Sequence, residues 1–194
     1  MGNLSDIFPA ATGNNVLEVI SGTCDGRTIT APSGDYTLQS VTAATNLSTS
    51  YVDIPGSSIT YTPPSDAKYV SYRFNFKWDS KASSGISHFR LYVDSTEIIP
   101  AYSHFASQYK GSHSSQHGSF SNTMEYVFDL TAASDNIAQG KFANWASAKT
   151  IKVTGREYDG TYQAAANANT YEDGASASGN EVFTKPVLTV IAYS

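Results

Sequence analysis

The chain has 194 residues, with 12 Lys and Arg against 17 Asp and Glu and a formal net charge of −5 at pH 7. That balance argues against nucleic-acid binding, because phosphate contacts need clustered cations. Its 13 Tyr, 9 Phe and 2 Trp, with only 15% charged residues, make the composition of a sheet former, and a domain of this length buries about 70% of its unfolded surface without a disulfide or metal staple.

Residues 1–15 show neither helical nor strand period; their glycines and small polar residues predict an N-terminal arm. Leu4, Ile7, Phe8 and Pro9 are its candidate anchor on a partner, the alternative being a tail whose Phe folds back on its own domain. No basic stretch followed by an apolar segment marks a signal peptide, so synthesis in a cytoplasm without the usual export is expected. No apolar run approaches the ~20 residues that span a bilayer, so no membrane insertion is expected.

A domain over residues 16–194 follows. Val16–Ile20 reads as a short strand, with Asp25-Gly26 and Pro32–Asp35 as turns around a returning Arg27–Thr30. Cys24, the one cysteine, reads as a small residue in a turn; with no second cysteine and no nearby His, neither a disulfide nor an activated thiolate is expected. Tyr36–Val41 reads as extended, Thr42–Ser50 as a connection, and Tyr51–Tyr61 as strand on both sides of Pro55-Gly56. Pro63-Pro64 closes this unit, since neither proline can donate to a ladder.

The strongest signal is Tyr69–Trp78, where Val70, Tyr72, Phe74, Phe76 and Trp78 fall on one side and Ser71, Arg73, Asn75 and Lys77 on the other. Period two over ten residues predicts a strand with one buried face. Asp79–Gly85 reads as a turn, and His88–Asp94 as a strand with Phe89, Leu91 and Val93 inward. Tyr102–Ser119 reads as a long loop or a loop with a ragged edge strand. Phe120–Leu130 is a strand with Met124, Tyr126, Phe128 and Leu130 on one face, and Asp135–Gln139 a short helical turn. Ala148–Tyr158 puts Ile151 and Val153 inward and Lys152 and Arg156 outward. Asp159–Asn180 reads as a long loop, of the kind that carries function or contacts a neighbour. Lys185–Tyr193 is a strand apolar on both faces, hence central.

Roughly eight to ten strands and no long helix predict an all-β, antiparallel two-sheet jelly-roll sandwich, tumour-necrosis-factor-like, with an extended N-terminal arm. There is no heptad pattern and no repeat at the roughly 20–50-residue periods of solenoids or propellers.

Candidate chemistry is sparse. His113 and His117 have the spacing of two ligands on a helix face, and His88 and His104 complete the histidines. Ser and Gly surround the pair and no Cys or carboxylate lies within the segment, so no metal and no cofactor is expected. Glu97, Glu125, Glu157, Glu172 and Asp173 offer carboxylates for glycoside hydrolysis. Glu125 is at outward phase; Glu157 shares the phase of Ile151 and Val153 but lies past Gly155, where a bulge or the strand end would turn it to solvent, so both read as solvated. There is no Gly-x-Ser-x-Gly elbow and no phosphate-cradling loop. Aromatic residues are the last candidates. Tyr102, Phe105, Tyr109, Tyr158, Tyr162 and Tyr171 lie in or beside the two long loops and suit a subunit interface or a receptor contact.

Three segments carry a resemblance: Gly34–Ala43; Tyr51–Pro64 with Ile-Pro-Gly-Ser-Ser-Ile-Thr-Tyr-Thr-Pro-Pro; and Ile86–Ser95 with Ser-His-Phe-Arg-Leu-Tyr-Val-Asp. Trp145–Val153 and Arg156–Tyr158 fit as well. Over residues 16–194 the chain resembles structural proteins of marine and cyanobacterial tailed phages, tail-fibre-like or virion structural. The resemblance implies a β-rich, often trimeric module on the virion exterior. A fibre needs a shaft, which this chain lacks; an arm plus a knob suits a capsid decoration or cement protein. The expectation is therefore a non-enzymatic, homotrimeric virion surface protein that binds the major capsid protein or a tail protein through its arm. The alternative is a tail-fibre or receptor-binding knob that recognises a host-surface glycan.

Overall fold

The computed structural model describes residues 15–80, 85–106, 118–169 and 182–194. The arm candidates Leu4, Ile7, Phe8 and Pro9, the loop tyrosines Tyr109 and Tyr171, the histidines His113 and His117, and Glu172 and Asp173 lie outside the described residues.

The fold is all-β. Its strands are β1 (Val16–Thr23), β2 (Thr28–Ala31), β3 (Gly34–Thr37), β4 (Thr45–Asn46), β5 (Val52–Asp53), β6 (Ile59–Tyr61), β7 (Tyr69–Ser80) and β8 (Ile86–Val93). They continue as β9 (Thr96–Glu97), β10 (Ser103–Ala106), β11 (Gly118–Asp129), β12 (Lys149–Glu157), β13 (Ala164–Ala166), β14 (Ala168–Asn169), β15 (Val182–Phe183) and β16 (Val187–Tyr193). The helical turn expected at Asp135–Gln139 is a 3-10 turn, Ile137–Gln139.

Two antiparallel sheets face each other around one core. The first is built on β7, whose period-two pattern now has a partner along its whole length: β11 pairs it from Tyr69↔Asp129 to Ser80↔Gly118. With that edge filled, β16 (opposite Tyr69–Asn75) and β13 (opposite Trp78–Ser80) share the other edge end to end. β1 then pairs the far edge of β16. The second sheet runs β10-β8-β12, with β5 and β6 sharing the outer edge of β12. The pairings are nested along the chain: β1 with β16, β5 and β6 with β12, β7 with β11, β8 with β10.

The inward positions of β7 are all buried and face Phe89, Leu91 and Val93 of β8 and Ile151 and Val153 of β12. Burying each such side chain contributes about 1.5–3 kcal/mol, so this facing set is the main source of sandwich stability. Tyr72 reaches the middle of the core because its hydroxyl donates to the Ser57 carbonyl (2.6 Å), leaving no unmet donor. Phe128, Phe142 and Trp145 close one end, with Phe142 and Trp145 centroids 4.6 Å apart.

Several boundaries differ from the sequence expectation. β7 continues through Asp79 and Ser80, where a turn was expected, because β11 and β13 supply partners on both edges. Part of the expected 159–180 loop is sheet: Ala164, Ala165 and Ala166 are fully buried beside β7, where two crowded faces leave room only for methyl groups. Phe105 was expected in a loop, but it lies in β10 with its ring 6.0 Å from both Trp78 and Phe89, so it packs on the core and presents no loop contact. Glu157 was expected in solvent, yet β12 keeps a continuous register with β8 through Gly155. Gly155 marks tight packing, since a Cβ there would come within 2.8 Å of the Phe89 ring. With no bulge, Glu157 stays at inward phase and is 7% exposed.

Candidate binding surfaces

The outer face of the second sheet follows from the same alternation that buries Phe89, Leu91 and Val93. It turns His88, Arg90 and Tyr92 of β8 outward, and Lys152, Thr154 and Arg156 of β12. Pairing aligns His104, His88 and Arg156 in one row across three strands, and places Arg90 opposite Thr154, which faces Asp53. Tyr92 lies opposite Lys152.

These side chains form two connected runs. The Arg90 guanidinium lies 4.2 Å over the Tyr51 ring and 5.4 Å from that of Tyr102, and the Arg156 guanidinium is 5.5 Å from the same Tyr51 ring. Cation–π contact of this kind holds both groups against flat aromatic surface. Beside it, His88 stacks with His104 (6.2 Å) and with Tyr158 (6.5 Å), and Tyr158 meets Tyr162 at 5.9 Å. Tyr102 and Tyr158 remain more than half exposed.

Two of the three cations are matched by carboxylates. Glu97 accepts from Arg90 Nη1 (3.1 Å) and from the Tyr92 hydroxyl (3.3 Å), and Lys152 Nζ lies 2.9 Å from Asp53. Among the described residues Arg156 has no carboxylate partner; its one hydrogen bond goes to the Thr49 carbonyl at 3.4 Å. Burial, with Arg156, His104 and Arg90 nearby, holds His88 below the usual imidazole range, so the ring is neutral at pH 7. The Glu97 carboxylate beside it raises the Tyr102 phenol. Among the described residues, His88 Nε2, Thr154 Oγ1 and Glu97 Oε1 are covered and have no hydrogen-bond partner.

Of the aromatic residues singled out in the sequence, the structure brings Tyr102, Tyr158 and Tyr162 to this one face and sends Phe105 to the core. Sequence reasoning missed Tyr51, His88, Arg90 and Arg156 as companions. The outward phase of Arg90 and Arg156 was readable in each strand, but the pairing that joins β8, β12 and β10 was not.

Among the described residues, the candidate carboxylates Glu125 and Glu157 are not brought together. Glu125 lies on the outer face of the first sheet, 43% exposed and paired with Arg73 at 2.7 Å. Glu157 faces inward from the second sheet, lining a cavity of about 110 Å³ with Asn46, Leu47, Gln163 and Ala164. Among the described residues no group of three or more His, Cys, Asp or Glu is placed to hold a metal ion.

The outer face of the first sheet is different in character. Val127, Ser71, Ile191 and Val19 form one row across four strands, and Asp129, Tyr69, Tyr193 and Val16 form the next. Val16, Val19 and Val127 are 57%, 48% and 53% exposed, an apolar belt with a shallow groove beside Tyr69, Ser71, Glu125, Val127 and Tyr193. Asn15 is fixed at this end of the sheet, its carbonyl accepting from the Ser194 amide at 3.0 Å. The outward phase of Val127 is legible from the alternation of β11, whereas Val16 and Val19 share a face only through the register shift between Val16 and Glu18.

No family model matches the chain, and no curated protein matches it.

Proposed function

We propose that the chain is a non-enzymatic surface protein of a tailed-phage virion, a knob that self-associates through its first sheet and attaches through residues 1–15. The nested strand pairing supports reading the sandwich as a jelly roll of the tumour-necrosis-factor-like kind. The observation that carries the reading is the exposed apolar belt of Val16, Val19 and Val127 with Tyr69, Ile191 and Tyr193. A contiguous apolar patch on an open sheet is the feature of a surface that is covered in the working assembly. Copies of this chain, as a homotrimer, are the proposed cover, and the arm joins the domain beside that belt. The shell's major capsid protein is the proposed partner of Leu4, Ile7, Phe8 and Pro9.

The test has two parts. Sedimentation should give the mass of a trimer for the natural chain and of a folded monomer for Val127→Asp; a monomeric natural chain would refute self-association. Deleting residues 1–15 should leave a soluble trimer that no longer binds particles, and attachment by the truncated form would sink the arm. Imaging with copy counting then separates decoration, with many copies over the head, from a tail location with few.

A second reading, a receptor-binding knob for a host-surface glycan, is favoured by the tyrosine and arginine face of the second sheet. An assembly built through the first sheet leaves that face open.

A further inference from the structure

The outer face of the second sheet has a chemistry that narrows its ligand. Three of its rows, His104–His88–Arg156, Arg90–Thr154–Asp53 with Tyr102 beside Arg90, and Tyr92–Lys152, contain no aliphatic side chain, and the one aliphatic residue of β8 at the same phase is Ile86, at the end of the strand. Aliphatic anchors are missing from these rows, although tyrosine and arginine are themselves common anchors at protein interfaces, so the charge pattern decides the ligand. Tyrosine rings at Tyr51, Tyr102 and Tyr158 instead offer flat, rigid surface at small entropic cost, suited to the C–H faces of sugar rings.

The charge pattern adds a second constraint. Glu97 and Asp53 neutralise Arg90 and Lys152, which leaves one guanidinium, Arg156, without a carboxylate among the described residues. A planar guanidinium is matched by a carboxylate through two parallel hydrogen bonds. One uncompensated cation amid aromatic planes suits a sugar acid and is too sparse for a nucleic-acid backbone. The face spans the four strands β10, β8, β12 and β5, about 14 Å at ordinary strand spacing, so it accommodates a short run of sugar rings.

We infer that this face binds a carboxylated oligosaccharide, with Arg156 pairing the sugar carboxylate and Tyr51, Tyr102 and Tyr158 stacking on the rings. The inference rests on the receptor-binding reading for its biological setting, and the experiment separates the two. Hexagalacturonate is titrated into the full chain by calorimetry, with cellohexaose as the neutral comparison. Binding of hexagalacturonate is expected, at least about tenfold tighter than of cellohexaose, the loss of one charge-assisted bond pair being of that order. Arg156→Gln should weaken binding about tenfold, and Tyr158→Ala should weaken it for both sugars. Arg73→Gln, on the other sheet, should change nothing, and melting temperatures should show all three variants folded. Absence of hexagalacturonate binding, equal affinity for cellohexaose, or an unchanged Arg156→Gln affinity overturns the inference. Adsorption of the protein to host cells is measured in parallel. Adsorption without hexagalacturonate binding keeps the receptor reading and overturns this ligand; hexagalacturonate binding without adsorption keeps the ligand and overturns the receptor reading.

Discussion

Glu18 offers the sharpest test of how the domain is held together. It is 4% exposed, and its carboxylate is enclosed by donors: the Tyr61 hydroxyl at 2.5 Å and the Ser33 hydroxyl at 2.8 Å on one oxygen, and the Ser33 amide at 3.0 Å on the other. Tyr36 extends the network, its hydroxyl lying 2.6 Å from that of Ser33. Burial and this carboxylate together raise the Tyr61 phenol far above its ordinary value, so Tyr61 is the donor. Glu18→Gln preserves shape and the acceptor for both hydroxyls, but turns the second oxygen into an amide nitrogen facing the Ser33 N–H. Relief of a buried charge favours the variant, whereas a buried donor left against a donor costs about 1–3 kcal/mol and the two remaining bonds lose their charge assistance. The second effect prevails, because the carboxylate already has three donors to replace its water. The expected net loss is about 2–3 kcal/mol, or a fall of about 4–12 °C in melting temperature for a domain of this size. Thermal melts at pH 7 of Glu18→Gln, Tyr61→Phe and the double variant measure it. The singles should be strongly non-additive; a melting temperature unchanged in Glu18→Gln would refute the assigned network.

Other expectations are equally direct. Gly140 has φ +65° and a Cβ there would enter the Tyr126 ring, so Gly140→Ala should cost about 2–4 kcal/mol from backbone strain and displaced packing, read by denaturant unfolding; a neutral result would contradict this packing. Burial pushes the Cys24 thiol up to about 11, and its sulfur lies 3.2 Å from the Gly56 carbonyl, so it should resist a thiol reagent at pH 8 until the chain unfolds. Rapid labelling of the folded protein would place it elsewhere. His88 titrates lower in the folded chain than at the unfolded value of about 6.5. Its contribution is therefore present above that value and lost as pH falls through and below it. Melting temperature should drop less between pH 7 and pH 5 in His88→Asn than in the natural chain, and parallel curves would show that His88 contributes nothing.

Much of the sandwich was legible because β7, β8, β11 and β12 each alternate large apolar and polar residues, and period two has one structural meaning. The alanines of β13 were not, since Ala carries no strand preference and reads as loop until β7 is seen beside it. Phe105 reads as a loop residue for a related reason: four residues of edge strand at Ser103–Ala106 give too short a pattern to establish a period. On the candidate face, three tyrosines were recognised by type, but their grouping with Tyr51, Arg90 and Arg156 depended on strands distant in the chain.

By itself, the sequence determined the all-β class, the inward set of β7 and the outward phase of Arg90, Lys152 and Arg156, since each depends only on neighbours two residues away. Tertiary structure alone decided which strands pair, and with that the fate of the polar residues. It buried Glu18 beside Tyr61 and Ser33, kept Glu157 inward by fitting Gly155 against Phe89, and gave carboxylates to Arg90 and Lys152 while leaving Arg156 without one among the described residues. The reason is physical: hydrophobic alternation is a local property of the chain, whereas the partner of a charge is whatever the pairing register brings within a few ångströms of it.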